Sequence, residues 1–289
     1  MRMIFQNARG AEIDLTNNGL AYLIDVSGQT TAKANLAAVI TDGIDGDRVN
    51  SSQVVPRTIA ITLRIKSGVS VEIAKREICR IVKIKKTGAL IWTQEGRTLT
   101  IDGIVDSIDL VRWTNAAALQ ISLHCSVPFW RDAELSEQEI SDVIDLHYFT
   151  TDPRDQLFFT EDGQPFGIYD FSRTRTFENG GDVDVGMQIE IRAYDTVTNP
   201  VILNEEGEFF GVGWTDRPFV MSAGDVVRIN TEREQKSVTL NGTTDLLSYL
   251  APGSSWLKMA AGENTFAINS SDANPQNMSF TIVFTSLYV

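Results

Sequence analysis

Histidine and cysteine are nearly absent, with two of each in 289 residues. Soft-metal sites and most nucleophilic chemistry draw on these side chains. His124 and His147 have no partner ligands at a metal-like spacing. Cys79 falls in an expected helix and Cys125 on the core side of an expected strand, so both read as buried thiols, with a disulfide the lesser alternative. There is no Gly-x-Ser-x-Gly, no phosphate-cradling glycine loop ending in Lys-Ser/Thr, and no His-Glu-x-x-His. A glycosidase needs only two carboxylates, and 38 acidic residues supply many pairs, so that class stays open without a motif to support it. No catalytic residue, metal ligand or cofactor-binding residue is singled out.

Long apolar runs are also missing. None approaches the roughly eighteen residues of a membrane-spanning helix, and no membrane partner is expected. The N-terminal stretch MRMIFQNARGAEIDL has a charge but no apolar core, which argues against a signal peptide. Positive charge is scarce: 25 Lys and Arg face 38 Asp and Glu, a net charge of -13. Duplex DNA or an anionic membrane is a poor partner for such a surface as a whole. The run 42 to 53 holds Asp42, Asp45 and Asp47, but its spacing is not that of an EF-hand loop, and it is expected to be a solvated turn or loop.

What remains is a globular composition, 43% hydrophobic and 22% charged, in a chain more naturally divided into two domains than one. The clearest pattern lies in residues 98 to 132. Leu99, Ile101, Gly103 and Val105 share one parity, and so do Leu119, Ile121, Leu123, Cys125 and Val127. Side chains two apart on a strand share a face, so the two runs read as an antiparallel hairpin with one face in a core. Pro128 then stops the second strand, and Phe129 and Trp130 follow as bulky apolar plugs. These two are the candidate structural residues for locking the two domains together.

Residues 58 to 66 alternate cleanly, with Ile59, Ile61, Leu63 and Ile65 on one side. The period then changes. Val71, Ala74, Ile78 and Val82 form a helical stripe, Ser70 is placed to cap it, and Glu72 and Arg76 stand four apart, predicting a helix over about 71–85. Residues 1–132 are thus expected to form a curled β-sheet domain with one covering helix. From 133 the chain is acidic and then rich in phenylalanine, with Asp162-Gly163 as a hairpin signal in a linking segment 133–186. Beyond it, short runs such as Met187–Ala193, Val238–Leu240 before Asn241-Gly242, Phe266–Ile268 and Phe280–Phe284 are cut by Gly, Pro and Asn turns. That rhythm predicts a β-sandwich or jelly roll over 133–289, with the last strand paired beside 187 to 193. Trp214 and Trp256 are the candidate saccharide platforms there, although each reads first as a packing anchor.

Four stretches together resemble the distal tail proteins of long, non-contractile-tailed phages and related prophages. They are Val55-Pro56-Arg57-Thr58-Ile59-Ala60-Ile61; Arg97-Thr98-Leu99-Thr100-Ile101-Asp102-Gly103-Ile104-Val105; Val127-Pro128-Phe129-Trp130; and the ordered series Thr198-Asn199-Pro200, Val238-Thr239-Leu240-Asn241-Gly242, Ala261-Gly262-Glu263-Asn264-Thr265-Phe266 and a final strand. The resemblance implies a non-enzymatic structural protein of the virion's distal tail, or baseplate. Copies of it would form a hexameric ring whose N-terminal split barrel surrounds a channel. DNA would pass that channel without specific recognition. A galectin-like C-terminal sandwich would project outward. The implied partners are the tail-tube protein, a tail-associated hub protein and receptor-binding or other baseplate proteins, with a host saccharide as a further ligand. The alternative is a free carbohydrate-binding sandwich without catalytic activity.

Overall fold

The computed structural model describes residues 1–30, 32–40, 45–112, 117–132, 136–138, 143–145, 167–169, 174–272 and 277–289. His147, Asp162-Gly163, Phe158, Phe159, Phe166 and Phe171 lie outside the described residues. The described residues are mainly β, with one α-helix and several sheets among them. It divides into two compact units, Met1–Glu134 with Leu287–Val289, and Leu135–Ser286.

Unit 1 is built on a nine-stranded sheet. Its antiparallel path runs Glu12–Asp14, Arg2–Asn7, Thr87–Gln94, Arg97–Arg112, Ala118–Cys125, Arg57–Ile65 and Ala21–Ser27. Among the described residues no ladder closes the sheet into a barrel. One isolated bridge, Asn17 to Tyr22, joins the turn after one end strand to the other end strand. The alternation in Arg57–Ile65 is realised: Ile59, Ile61 and Leu63 are fully buried and enter one core with Ile101, Val105, Leu119, Ile121 and Leu123. His124 is exposed, and Cys125, on the opposite side, is buried. A bulge between Val105 and Ser107 shifts the parity, so that Ile108 and Leu110 also pack against the core.

Two details depart from the sequence reading. Val127 is exposed, because the strand ends at Cys125. From His124–Ile104 to Arg131–Thr100 the chain takes seven steps on one side and four on the other, so a bulge carrying Pro128 separates Ala118–Cys125 from the short strand Trp130–Asp132. The helix spans Val71–Ile81, shorter than expected at its C-terminal end. Lys85 adopts φ 62°, and the chain is already reversing into Thr87–Gln94. Ala74, Ile78 and Val82 form the buried stripe. Ser70 holds the N-cap position without a side-chain capping bond, and the helix's ion pair is Glu77–Arg80 at 3.0 Å rather than Glu72–Arg76. That pair is exposed and contributes little.

Asp14 ties the first end strand down. Its carboxylate accepts from Arg2 Nε at 3.0 Å and from the Thr16 N–H at 2.8 Å. Partial burial pushes the carboxyl up, but Arg2 and the Thr16 and Asn17 N–H groups outweigh it and hold the pKa below its ordinary 3.8. A depressed carboxylate stabilises the fold above its unfolded pKa and is lost as pH falls through the folded value. The Asp14→Asn variant is therefore expected to unfold in urea with a shallower dependence on acid pH than the parent. Parallel curves for the two proteins would refute this.

Unit 2 contains two larger sheets. The six-stranded one runs Ser136–Gln138, Met278–Phe284, Met187–Ala193, Val226–Asn230, Ser237–Leu240 and Thr244–Asp245. The last long strand thus pairs along Met187–Ala193, as the sequence suggests. The four-stranded sheet runs Thr174–Asn179, Gly262–Asn269, Val201–Asn204 and Phe209–Gly211. Phe177 of the smaller sheet meets Phe280 of the larger at 6.2 Å between ring centres, so the inner faces share a core. The tight turn at Asn241-Gly242 takes φ of 52° and 70°, the paired left-handed geometry that Asn-Gly accepts at low cost.

Candidate functional site

Three features stand out from the packed scaffold. The first is in unit 1. Ala34–Ile40 pairs antiparallel with Asp47–Val54, and every residue of these two strands is exposed. Together they carry Leu36, Val39, Ile40, Val49 and Val54 into solvent, with Ile40 79% exposed. An isolated two-stranded hairpin is marginal in water, and its unpaired edges invite a further strand. The sequence reading made 42 to 53 a turn or loop. The strand beginning at Asp47 corrects this: neither face is buried, so no alternation marks it. The available signal was the apolar run ANLAAVI followed by Asp-Gly pairs.

The second feature is Trp130. It is buried inside unit 1, with its ring centre 5.4 Å from that of Trp92 and its indole N–H donating to the Gln29 carbonyl at 2.8 Å. Phe129 beside it is half-buried. Arg57 Nη1 donates to the same Gln29 carbonyl at 2.9 Å. Arg57 is itself buried, and its Nε and Nη2 have no partner. Desolvation lowers the Arg57 pKa, and the facing Cys125 thiol is pushed up to about 11 by its own burial. On the strand edge, Trp130 and Arg131 pair with Tyr288 and Leu287. Tyr288 donates its hydroxyl to Asp132 at 2.7 Å, and the Arg97 guanidinium lies 3.7 Å over the Tyr288 ring. Arg131 forks onto Asp102.

The third is a cleft of about 310 Å³ within unit 2. Trp256 forms an apolar wall, with Phe210 at 5.0 Å on one side and Lys236 Nζ at 5.3 Å over its ring. Asp184, Glu205, Glu206, Glu208 and Lys258 surround it. Two tight turns fix its rims. Asn204 takes the Glu208 N–H at 2.8 Å and donates to its carboxylate at 3.1 Å, with Gly207 at φ 84° between them. Asn264 is buried, accepts from Ala260 N at 2.8 Å and donates to the Ala260 and Gly262 carbonyls. Trp214 does not line this cleft. It is half-buried in a turn where its backbone exchanges hydrogen bonds with Arg217 at 3.1 and 3.0 Å. The sequence pointed to Trp256 as an aromatic but gave no sign of the carboxylates around it, which come from two separate segments.

Among the described residues no group of three or more His, Cys, Asp or Glu side chains could hold a metal ion, and both cysteines are free. No described helix is long and apolar enough to cross a membrane.

A split into two β units, the second built on paired sheets, is the setting in which comparison with known proteins becomes informative. Residues 180–288 match the family described as the siphovirus-type tail component, C-terminal domain. Among solved structures, the SPP1 Dit (gp 19.1) protein has a TM-score of 0.67 over 99% of this chain and 99% of its own, at 12% identity. It is described as a paradigm of the hub adsorption apparatus in Gram-positive-infecting phages. At that identity the likeness is one of fold, and it extends through both units. Chains of the phage p2 baseplate in its activated conformation, with Sr or with Ca, align over 98% and 99% of this chain and 97% of theirs at 12% and 11% identity, but with TM-scores of 0.45. No curated protein matches the chain.

Proposed function

We propose that this protein is a distal tail protein: a structural hub at the end of a phage tail tube, without catalytic activity. The observation that carries this reading is the fold match to SPP1 Dit along nearly the whole of both chains, with the tail-component family match to residues 180–288 as its independent support. Unit 1 is the ring-forming part. Its sheet is a split barrel, consistent with the Asn17–Tyr22 bridge between its end strands. Copies assemble into a closed ring of six, a heterologous arrangement that covers strand edges a monomer leaves open. The exposed hairpin Ala34–Ile40/Asp47–Val54 is the arm by which neighbouring copies meet. Unit 2 is a galectin-like sandwich of jelly-roll type, turned to receptor-binding or other baseplate proteins. The tail-tube protein lies on one side of the ring and a tail-associated hub protein on the other, and DNA passes the channel unread. Phe129 and Trp130 are the candidate structural residues of unit 1 at the Trp130–Asp132/Leu287–Tyr288 ladder, next to which the chain leaves that unit and returns to it.

Native mass spectrometry of the purified chain, alone and mixed with its tail-tube protein, tests the reading. A six-copy ring is expected in at least one of the two samples. Replacing Leu36, Val39 and Ile40 with serine should reduce that ring to monomers without changing the melting temperature. A monomer in both samples at high concentration would overturn the hub assignment.

A further inference from the structure

We propose that the exposed hairpin of unit 1 is a hinged arm, held in place by a latch on the Gln29 carbonyl and free to swing when that latch opens. Ala21–Ser27 pairs with Arg57–Ile65 as far as Ser27–Ala60, and the same two stretches of chain pair again from Ala34–Val54 outward, as a sheet of their own. Between those pairs the chain takes seven steps on one side and six on the other, so the two ladders are one residue out of step. The break falls at residues suited to it. Gly28 adopts φ 80°, and Pro56 on the facing stretch has no N–H to give to a ladder. The body of the sheet begins again at Arg57, which pairs with Cys125. The Val55 N–H, bonded to the Lys33 carbonyl at 2.9 Å, already belongs to the arm.

One backbone oxygen spans this break. The Gln29 carbonyl accepts the Trp130 indole N–H at 2.8 Å and Arg57 Nη1 at 2.9 Å, and both donors are buried in unit 1. Two donors occupy both lone pairs of a carbonyl, so the residue just past Gly28 is fixed from two directions. The latch is also loaded against itself. Arg57 is a permanent cation that forms no ion pair among the described residues, and its Nε and Nη2 are buried without a partner. Gln29 Oε1 is buried without a donor as well. Buried polar atoms left unbonded carry a desolvation cost. Opening the root of the hairpin hydrates these atoms, which offsets part of the two hydrogen bonds given up. The latched and released states therefore lie closer in free energy than the burial of Trp130 alone implies, and a contact that favours either posture shifts the population. The latch holds the hairpin whatever the hairpin meets, so its existence does not rest on the tail-hub reading.

Two measurements on the intact chain test this. The first uses the parent protein and follows hydrogen exchange of the Trp130 indole N–H by NMR, beside the backbone amides of Ile61 and Leu63 in the core strand. A latch that opens without unfolding of the unit lets the indole exchange at least about tenfold faster than those amides. The second reads the posture of the arm. Spin labels at Ser52→Cys on the hairpin and Glu72→Cys on the helix, in a Cys79→Ser background, are expected to give one distance in the parent by pulsed electron resonance. The Trp130→Phe variant, which keeps a ring in the core and removes the N–H, should add a second distance. The Trp92→Phe variant removes an indole N–H that bonds nothing and should keep the single distance. An indole that exchanges no faster than the core amides, two distances already present in the parent, an unchanged single distance in Trp130→Phe, or the same second distance in Trp92→Phe would each overturn the proposal.

Discussion

Replacing Trp130 with alanine is expected to lower the unfolding free energy of unit 1 by about 3–5 kcal/mol, among the larger costs a single core truncation brings. Three losses add up. The side chain is only 1% exposed, so its whole apolar area is given back to a cavity. The ring contact with Trp92 at 5.4 Å disappears. The Gln29 carbonyl loses its indole donor and retains Arg57. The Trp130→Phe variant separates these contributions, since it keeps most of the ring and removes only the N–H. Its cost should fall to about 1–2 kcal/mol, the scale of one buried hydrogen bond plus a small void. Urea unfolding followed by circular dichroism reads both. An unchanged midpoint for Trp130→Ala would mean that the residue is not the core anchor described here.

Gly28→Ala should be comparably damaging for a different reason. Gly28 adopts φ 80°, a left-handed conformation that costs an L-residue energy. A Cβ there would also run into the Thr58 carbonyl oxygen, which belongs to the backbone of the strand Arg57–Ile65 and cannot swing aside. Either Gly28 or the strand must move. If Gly28 moves, it carries Gln29 with it, and the Gln29 carbonyl is the shared acceptor of Trp130 and Arg57. Arg57 is buried with two nitrogens already lacking partners, so losing its remaining bond is costly. We expect a loss of about 3 kcal/mol or more from strain and overpacking together. The effects of Gly28→Ala and Trp130→Ala should be less than additive, because both disrupt the same carbonyl. Full additivity in a double-mutant cycle would separate the two sites. Gly10 offers a control: it has φ 79° but open space around its missing Cβ, so Gly10→Ala should carry the conformational cost alone.

These residues also show what could and could not be read from the chain. Strands buried on one face announce themselves. Ile59, Ile61 and Leu63 follow the period of two because the core accepts every second side chain, and Ile78 and Val82 follow the helical period for the same reason. Trp130 was legible as a plug because it follows a proline that ends a strand. The hairpin Ala34–Ile40/Asp47–Val54 was not legible, since alternation records burial and this hairpin buries nothing on its own. The Val71–Ile81 helix was recognised but its end was overrun, because Lys83, Ile84 and Lys85 are compatible with a helix and the reversal is set by tertiary pairing of Thr87–Gln94. The cleft was only half visible. An aromatic can be picked out from a sequence, but the meeting of Asp184, Glu206 and Lys258 depends on the fold bringing three separate segments together. The Gln29 carbonyl, which organises Trp130 and Arg57, has no sequence signature at all.

The strand Leu287–Tyr288 belongs to unit 1, although unit 2 occupies the chain between Leu135 and Ser286. In topological terms unit 2 is an insertion, a cassette spliced into an edge of unit 1. A disordered cassette of that length would make the Trp130–Tyr288 pairing entropically expensive, whereas a folded one holds its two ends in a fixed relation. The first unit therefore depends on the second being folded, but not on what the second displays. An exchange of one cassette for another with similarly spaced ends would leave unit 1 intact while replacing everything the cassette displays.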